Sequence, residues 1–586
     1  MGTISDKLMR IINTKEDIRQ ALISKGYDVP TSIPFKEYAK MILDLPCKVD
    51  SFPDIEGIVA RYSASGLTNE QMAANPVWVD KTGNGHDIQL KNFSWKGMSG
   101  VGGYEMNFNL WRNNVSSIPD ISMSTTTTSV GVSVGNSTYN NNLIYIHISN
   151  WDINKNHWLK VTSTYEDGDL AFIFYNDSNT KKIGLPANGY VNILAYPEFK
   201  GSYMYISTIS NKQGSFTIEQ LPLYPGALVF DGVDDYGVCE NFPILTKEKG
   251  YTVVALRQWL PPETKTINEV LLGNFKNNPI WIGANLGAFQ FEVKYNISKI
   301  VKTNSFGIEN NITLNNNHLF SYQISNSYNG SILRIGNNDG GNFFTVGCGG
   351  DQFYSNAAIW ELVFLDHDAT EEELTKIKDY FVKTYPWLFP DQAWTVVGKT
   401  NEDEDRATIA NITGNGNDLV CLNLGFIEGS GYNEEGEYAG YLVTDGVDDK
   451  ITPSTFEMGN DWTVIGDWEL INTGKNDNAG IVKFDSIVIY NYNPILINIK
   501  NGRNNLIPDQ NTVNAICSDG RIYSKDWKES IYNEETESTS KNFLTIGYSG
   551  NAYTKIAFKN LAIYPTVLSR EDCIKAYNYL QTLKAK

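Results

Sequence analysis

The sequence predicts a mainly β protein: two tandem β-sandwiches, a third sandwich inserted into the first, and a small helical segment at the N-terminus. Three observations predict it. Short alternating apolar runs, such as Leu143-Ile144-Tyr145-Ile146-His147-Ile148 and Leu170-Ala171-Phe172-Ile173-Phe174-Tyr175, are separated by Asn, Asp and Gly, the pattern of strands joined by tight turns. Three blocks recur in the same order. Thr82-Gly83-Asn84-Gly85-His86-Asp87 matches Thr413-Gly414-Asn415-Gly416-Asn417-Asp418, and Phe230-Asp231-Gly232-Val233-Asp234-Asp235 matches Thr444-Asp445-Gly446-Val447-Asp448-Asp449. A strand-like run then precedes a helix start: Glu361–Leu365 before Thr370-Glu371-Glu372-Glu373, and Asn560–Tyr564 before Ser569-Arg570-Glu571-Asp572. The third observation is spacing. Asp87 and Asp231 lie 144 positions apart but Asp418 and Asp445 only 27, whereas Asp231 to Glu361 and Asp445 to Asn560 are 130 and 115. The first copy therefore carries a domain-sized insertion, tolerated where its two ends lie close together.

Taken in order, residues 1–50 form the helical N-terminal anchor. Ser5 caps a short helix carrying Leu8, Ile11 and Ile12; Thr14-Lys15-Glu16-Asp17 starts a second that Gly26 stops; Phe35, Tyr38, Ala39 and Ile42 share a face of a third. So short a segment buries little core of its own, so it is expected to pack on a partner, or else to cap the first sandwich. Residues 51–103 plus 223–388 form the first repeat, 104–222 the inserted sandwich and 389–586 the second repeat. Pro386–Asp391 reads as a short, stiff linker. Ile516 to Tyr523 reads as a hairpin turning at Asp519-Gly520.

Composition excludes several classes. A chain of 586 residues suggests three or four domains. The formal charge is −19 with no Lys/Arg run able to track a phosphate backbone, which speaks against nucleic acid as partner. No apolar run approaches the length of a membrane span, and the N-terminus carries no secretory pattern. The cysteines (Cys47, Cys239, Cys348, Cys421, Cys517 and Cys573) form no C-x-x-C pair and are expected as reduced, buried thiols of a protein assembled in a cytoplasm.

The candidate chemistry is modest. Asp231, Asp234 and Asp235, and again Asp445, Asp448 and Asp449, put three carboxylates within five residues. Oxygen-rich loops suit Ca²⁺, yet an Asp-Gly turn needs no metal, because Asp caps its own turn and Gly supplies φ > 0. Val233 and Val447, between the acids, are expected to face the core. The Thr-Gly-Asn-Gly blocks lack the helix and Lys of a phosphate loop and read as hairpin corners. Glu402-Asp403-Glu404-Asp405 has no counterpart in the first repeat and reads as a solvated loop or helix start. Glycoside hydrolysis needs two carboxylates aimed across a cleft; no such pair, no zinc set and no G-x-S-x-G elbow stands out, so no catalytic residue is assigned. Aromatic platforms for sugars remain, with Trp95, Trp111, Trp151 and Trp158 in or beside the insertion as candidates.

The order T-G-N-G-x-D, D-G-V-D-D, then a late strand before a capped helix resembles the concanavalin A-like, LamG-type jelly-roll family. The resemblance implies tandem curved sandwiches of about a dozen strands, and loops at the rim that can hold Ca²⁺. Thr14-Lys15-Glu16-x-Ile18-Arg19-x-Ala21 and Pro34-Phe35-x-x-Tyr38-Ala39 resemble the leader of tailed-phage structural proteins, and the whole resembles virion fibre or decoration proteins of crAss-like phages that infect Bacteroidetes. What this implies is a structural protein on the particle surface, joined to other virion proteins through its N-terminal anchor as a homotrimer, with host or mucosal glycans as ligands. The alternative is a phage-borne polysaccharide-degrading glycoside hydrolase.

Overall fold

Alternation of apolar and polar residues sends every second side chain of these strands into one of three separate cores, each lined from two sheets. They appear in a computed structural model that describes residues within 52–585, apart from several segments of which the longest are 274–289, 302–319, 325–342 and 532–544. Residues 1–51, and with them the expected N-terminal helices, lie outside the described residues. The protein is mainly β, as the sequence predicts.

The first core gathers Tyr62, Trp78, Ile88, Leu228, Phe230, Val253, Phe344, Ile359 and Phe364. One sheet is centred on Asn356–Leu365, which pairs with Thr252–Trp259 on one side and with Leu228–Asp231 and Ile58–Ser63 on the other. The facing sheet runs Val77–Trp78, Ile88–Lys91, Tyr236–Cys239, Phe344–Val346, Glu269–Gly273, Gln290–Tyr295, Lys299–Val301. The second repeat keeps this order and extends both sheets to eight strands. Ile556–Tyr564 is central, flanked by Thr463–Leu470 on one side and by Tyr441–Val443 and Gln392–Thr395 on the other. Opposite lie Thr408–Ile409, Leu419–Leu422, Lys450–Pro453, Thr545–Ile546, Gly480–Phe484, Ile487–Tyr490, Ile495–Ile499 and Arg503–Ile507. Even the irregularity recurs: the central pairing slips between Leu256 and Arg257 in one copy and between Asp467 and Trp468 in the other, the same step counted from Thr252 and Thr463. A slip of one residue reverses which face each side chain meets, so sharing it lets both copies twist alike.

Each repeat closes with a helix. Thr370 Oγ1 accepts from Glu373 N and Glu373 returns to the Thr370 backbone, a capping box at the start of Glu371–Thr384. Ser569 caps Arg570–Gln581 through Asp572 N. Such caps stabilise a helix start by about 1 kcal/mol. A strand threonine clamps each entry: Thr252 Oγ1 donates to His367 O and accepts from Ala369 N, and Thr463 does the same with Thr566 O and Leu568 N. Between the repeats Pro386–Leu388 is a 3-10 turn with Trp387 and Leu388 buried. The expected stiff linker is packed against the second repeat: Tyr564 donates to Trp387 O at 3.0 Å and Lys575 lies over the Trp387 ring, because an exposed Trp-Leu pair would leave apolar surface in water.

The insertion enters through the tip of one hairpin. Gly100–Val101 pairs with Leu228–Asp231 in the register of Gly431–Asn433 with Tyr441–Val443. The second repeat closes this hairpin directly, whereas in the first the chain leaves after Gly103 and returns at Leu223, whose N–H donates to Gly103 O at 3.0 Å. Between these ends two five-stranded sheets enclose a core of their own, including Trp111, Val132, Leu143, Leu159, Phe172 and Ile206. The insertion also touches the second repeat. Trp158 meets Trp527 and Tyr577 edge-on at 6.1 and 5.7 Å, and Arg570 lies over the Tyr190 ring at 5.3 Å. The Asp519-Gly520 turn joins Val513–Cys517 to Arg521–Ser524 as read from sequence. Cys239, Cys348, Cys421, Cys517 and Cys573 are buried free thiols; Cys47 lies outside the described residues. Among the described residues no helix is long and apolar enough to cross a membrane.

Candidate functional site: paired acidic turns and a tyrosine face

The Thr-Gly-Asn-Gly corners are held by local hydrogen bonds. Thr82 Oγ1 donates to the Asp80 carboxylate at 2.8 Å, Asn84 Nδ2 to Val59 O at 2.9 Å, and Asp87 Oδ1 accepts from Asp80 N at 2.8 Å. Thr413, Asn415 and Asp418 repeat these bonds with Asn411 and Asp391 O. The aromatic tip beneath differs in chemistry but not in role: Tyr62 donates to His86 O, and Trp394 Nε1 to Asn417 O. These bonds account for the motif as a corner.

The acidic turns close the same way. Asp231 Oδ1 accepts from Val233 N at 2.7 Å and Asp445 Oδ1 from Val447 N at 2.7 Å. Gly232 and Gly446 take φ of 71° and 77°, which favours glycine. Asp235 is buried; its Oδ2 accepts from Asp231 N and its Oδ1 from Ser99 Oγ at 2.9 Å. Asp449 is buried likewise, with Oδ2 accepting from Asp445 N and Ser430 Oγ, both at 2.8 Å. Val233 and Val447 do not face the core: they are 65% and 72% exposed. The turn ties its first and last aspartates together, and the valine and aspartate between them are turned to water.

In each turn one carboxylate oxygen per aspartate lies within 4.8 Å of the others, so either triad could hold a hard cation with oxygen ligands. The two differ. Both Asp235 oxygens already accept hydrogen bonds, while Asp449 Oδ1 is buried with no partner among the described residues. Burial, then Asp231, pushes the Asp235 carboxyl up to about 7, and burial pushes Asp449 up as well.

A fourth matched block, missed in the sequence, supports these turns. Asn92 Nδ2 donates to Asp234 O at 3.0 Å and Asn423 Nδ2 to Asp448 O at 3.0 Å. Ser99 and Ser430 link the buried aspartates to Ser94 N and Gly425 N. At the next residue, Gly100 or Gly431, a Cβ would overlap the Asn69 or Asn401 side chain. The shared spacing N-x-x-x-x-x-x-S-G, five residues after Asp87 and Asp418, is a signal that could have found it. Glu402–Asp405 is a turn: Asp403 caps Thr400 N at 2.9 Å, which lowers its pKa, and Asp405 pairs with Lys399 at 2.9 Å.

Among the described residues the candidate tryptophans do not form a platform. Trp111 and Trp158 are buried, Trp95 is half-buried and stacked on Phe93 at 4.8 Å, and Trp151 lies outside the described residues. Large flat rings in sandwich strands gain most by filling core. Among the described residues the exposed aromatic rings are tyrosines. On one sheet of the inserted sandwich Tyr205 stands opposite Tyr145 and Ile173, and Tyr203 opposite Tyr175. Their neighbours Ile144, Ile146, Phe172, Phe174, Met204 and Ile206 point into the core, so strand alternation sends the tyrosines outward. Tyr145 lies 5.6 Å from Tyr203 and 5.9 Å from Tyr205, ring centre to ring centre. Tyr175 and Tyr203 are 50% and 41% exposed. Burial, then Tyr203, Tyr145 and Tyr175, pushes the Tyr205 phenol up.

No family model matches this chain. No curated protein matches it. Among solved structures, a Trypanosoma rangeli sialidase in complex with sialic acid is similar over 90% of this chain and 97% of its own, at 8% identity and a TM-score of 0.25. The tandem CBM22 domain of Paenibacillus barcinonensis Xyn10C covers 47% of this chain and 99% of its own, at 10% identity and 0.14. The botulinum neurotoxin serotype D binding domain covers 60% and 89%, at 11% identity and 0.20. Likenesses this distant carry no argument about fold or chemistry.

Proposed function

We propose that this chain is a structural protein of a tailed-phage particle, part of a head or tail fibre or a surface decoration, whose inserted sandwich contacts host or mucosal glycans. One observation carries the contact role: four tyrosines, Tyr145, Tyr175, Tyr203 and Tyr205, gathered on the outer face of a sheet. Exposed aromatic clusters mark interaction sites, and a tyrosine offers both an apolar ring for a sugar face and a hydroxyl for its edge. The particle role rests on the sequence resemblance alone. In it, residues 1–50 join other virion proteins and form a homotrimer after assembly in the host cytoplasm.

Binding is proposed in preference to hydrolysis. Asp235, pushed up to about 7, is the carboxyl a general acid would require. Yet it is buried with both oxygens engaged, and its partner acids sit on the same turn within 4.8 Å instead of across a cleft. The test is binding of the full-length protein to immobilised polysaccharides, with Tyr175→Ala and Tyr203→Ala alongside. Binding lost in both variants at unchanged melting temperature supports the reading. Release of reducing ends, abolished by one Asp or Glu substitution, would instead make it an enzyme. Antibody labelling of virions in the electron microscope decides the particle role, and unlabelled particles sink it.

A further inference from the structure

We infer that the tyrosine face takes an acidic polysaccharide, one bearing carboxylate or sulfate groups along its length; this rests on the glycan-contact reading of the same face. Cross-strand pairing places five residues in one row across the sheet: Arg112, Tyr145, Tyr205, Ile173 and Lys182. Paired residues share a face, so a cation stands at each end of the aromatic row. Arg112 and Lys182 are both exposed. With inter-strand steps of about 4.8 Å, the row spans on the order of 19 Å, room for several sugars in line. A second row, Tyr203, Tyr175 and Thr180, runs beside it.

The charge pattern departs from the rest of the chain. The protein has 67 acidic residues against 48 Lys and Arg. The five strands of this sheet, Arg112–Asn113, Asn142–His147, Leu170–Tyr175, Thr180–Gly184 and Tyr203–Thr208, contain Arg112, Lys181 and Lys182 and no Asp or Glu. A polyanion approaching a chain of net charge −19 is repelled on average. A sheet whose five strands carry no acid, with Lys182 at one end and Arg112, which also donates to Trp111 O at 3.0 Å, at the other, is where it can settle. The rings then take the apolar faces of the sugars, and Arg112 and Lys182 meet the anionic groups at the two ends.

The experiment measures binding of the full-length protein to polygalacturonate and to the same polymer with its carboxyl groups reduced to alcohols, at low and high salt. The acidic polymer should bind roughly three- to tenfold more tightly at low salt, as expected for two exposed charge contacts, and the gap should close as salt screens them. The double variant Arg112→Gln, Lys182→Gln should erase the gap while leaving binding of the reduced polymer unchanged. Tyr175→Ala with Tyr203→Ala should lose both polymers. Equal binding of the two polymers, or a gap untouched by the charge variant, overturns the acidic preference and leaves the platform standing. Failure of the tyrosine variant to weaken either polymer, or no binding to either, overturns the platform and this inference with it.

Discussion

In the first repeat the closing helix Glu371–Thr384 is held on its sheet by a buried ion pair; in the second, the same positions are Ala393 and Asn560. Arg61 reaches Glu361 at 3.3 Å and donates to Tyr380 Oη at 2.7 Å, while Tyr385 donates to the other Glu361 oxygen at 2.7 Å. Asn560 is equally buried, and neither amide atom has a partner among the described residues. The second repeat places its polar anchor one strand over. Asp467 accepts from Tyr441 at 3.1 Å and from Gln581, near the end of the closing helix, at 3.0 Å. Strand order, the slipped register and the threonine clamp survive this exchange. Topology is therefore carried by apolar alternation and by local turn bonds, and the buried polar anchor can move within it.

The comparison breaks hardest at Glu361. Glu361→Ala leaves the buried Arg61 without its carboxylate partner and should cost about 3–5 kcal/mol, read as a lower denaturation midpoint of the full chain. A loss no larger than that of a surface substitution would mean the pair is not an anchor. Next comes pH. The folded first repeat keeps the Asp235 proton up to about 7, while the unfolded chain releases it near 3.8. Stability should therefore fall as pH climbs between those values, by on the order of 4 kcal/mol. Asp235→Asn should flatten that slope. Ca²⁺ added at pH 7 should leave melting unchanged; a saturating rise in melting temperature would instead place a cation on the carboxylates of these turns.

The two smaller effects sharpen the contrast. Residues 389–586 expressed alone should melt in one cooperative transition, because the second repeat has a complete core of its own. Trp527 should become more exposed than in the full chain, having lost Trp158, and its fluorescence should shift to the red. An aggregated, non-cooperative product would show that the insertion is part of that fold. Last, Asn560→Leu should be neutral or stabilise by about 1 kcal/mol, since it removes a buried amide that has no partner. Destabilisation comparable to Glu361→Ala would reveal a bond that the amide makes.

What the sequence determined by itself is what local chemistry writes. The Asp-Gly and Thr-Gly-Asn-Gly turns are closed by bonds between near neighbours, Asp231 to Val233 and Thr82 to Asp80, and the capping box runs only from Thr370 to Glu373. One spacing differs between otherwise matched copies, which is a signal of an insertion that needs no tertiary contact to read. The tertiary structure decided the rest. Tyr145 and Tyr205 meet only because their strands pair across 60 residues, and no periodicity in either strand says which strand is its neighbour. The same pairing left Arg112 and Lys182 at the ends of that row. Val233 and Val447 turned outward because the turn around them folds back, and Trp111 and Trp158 turned inward because a large apolar ring gains more from burial than from display.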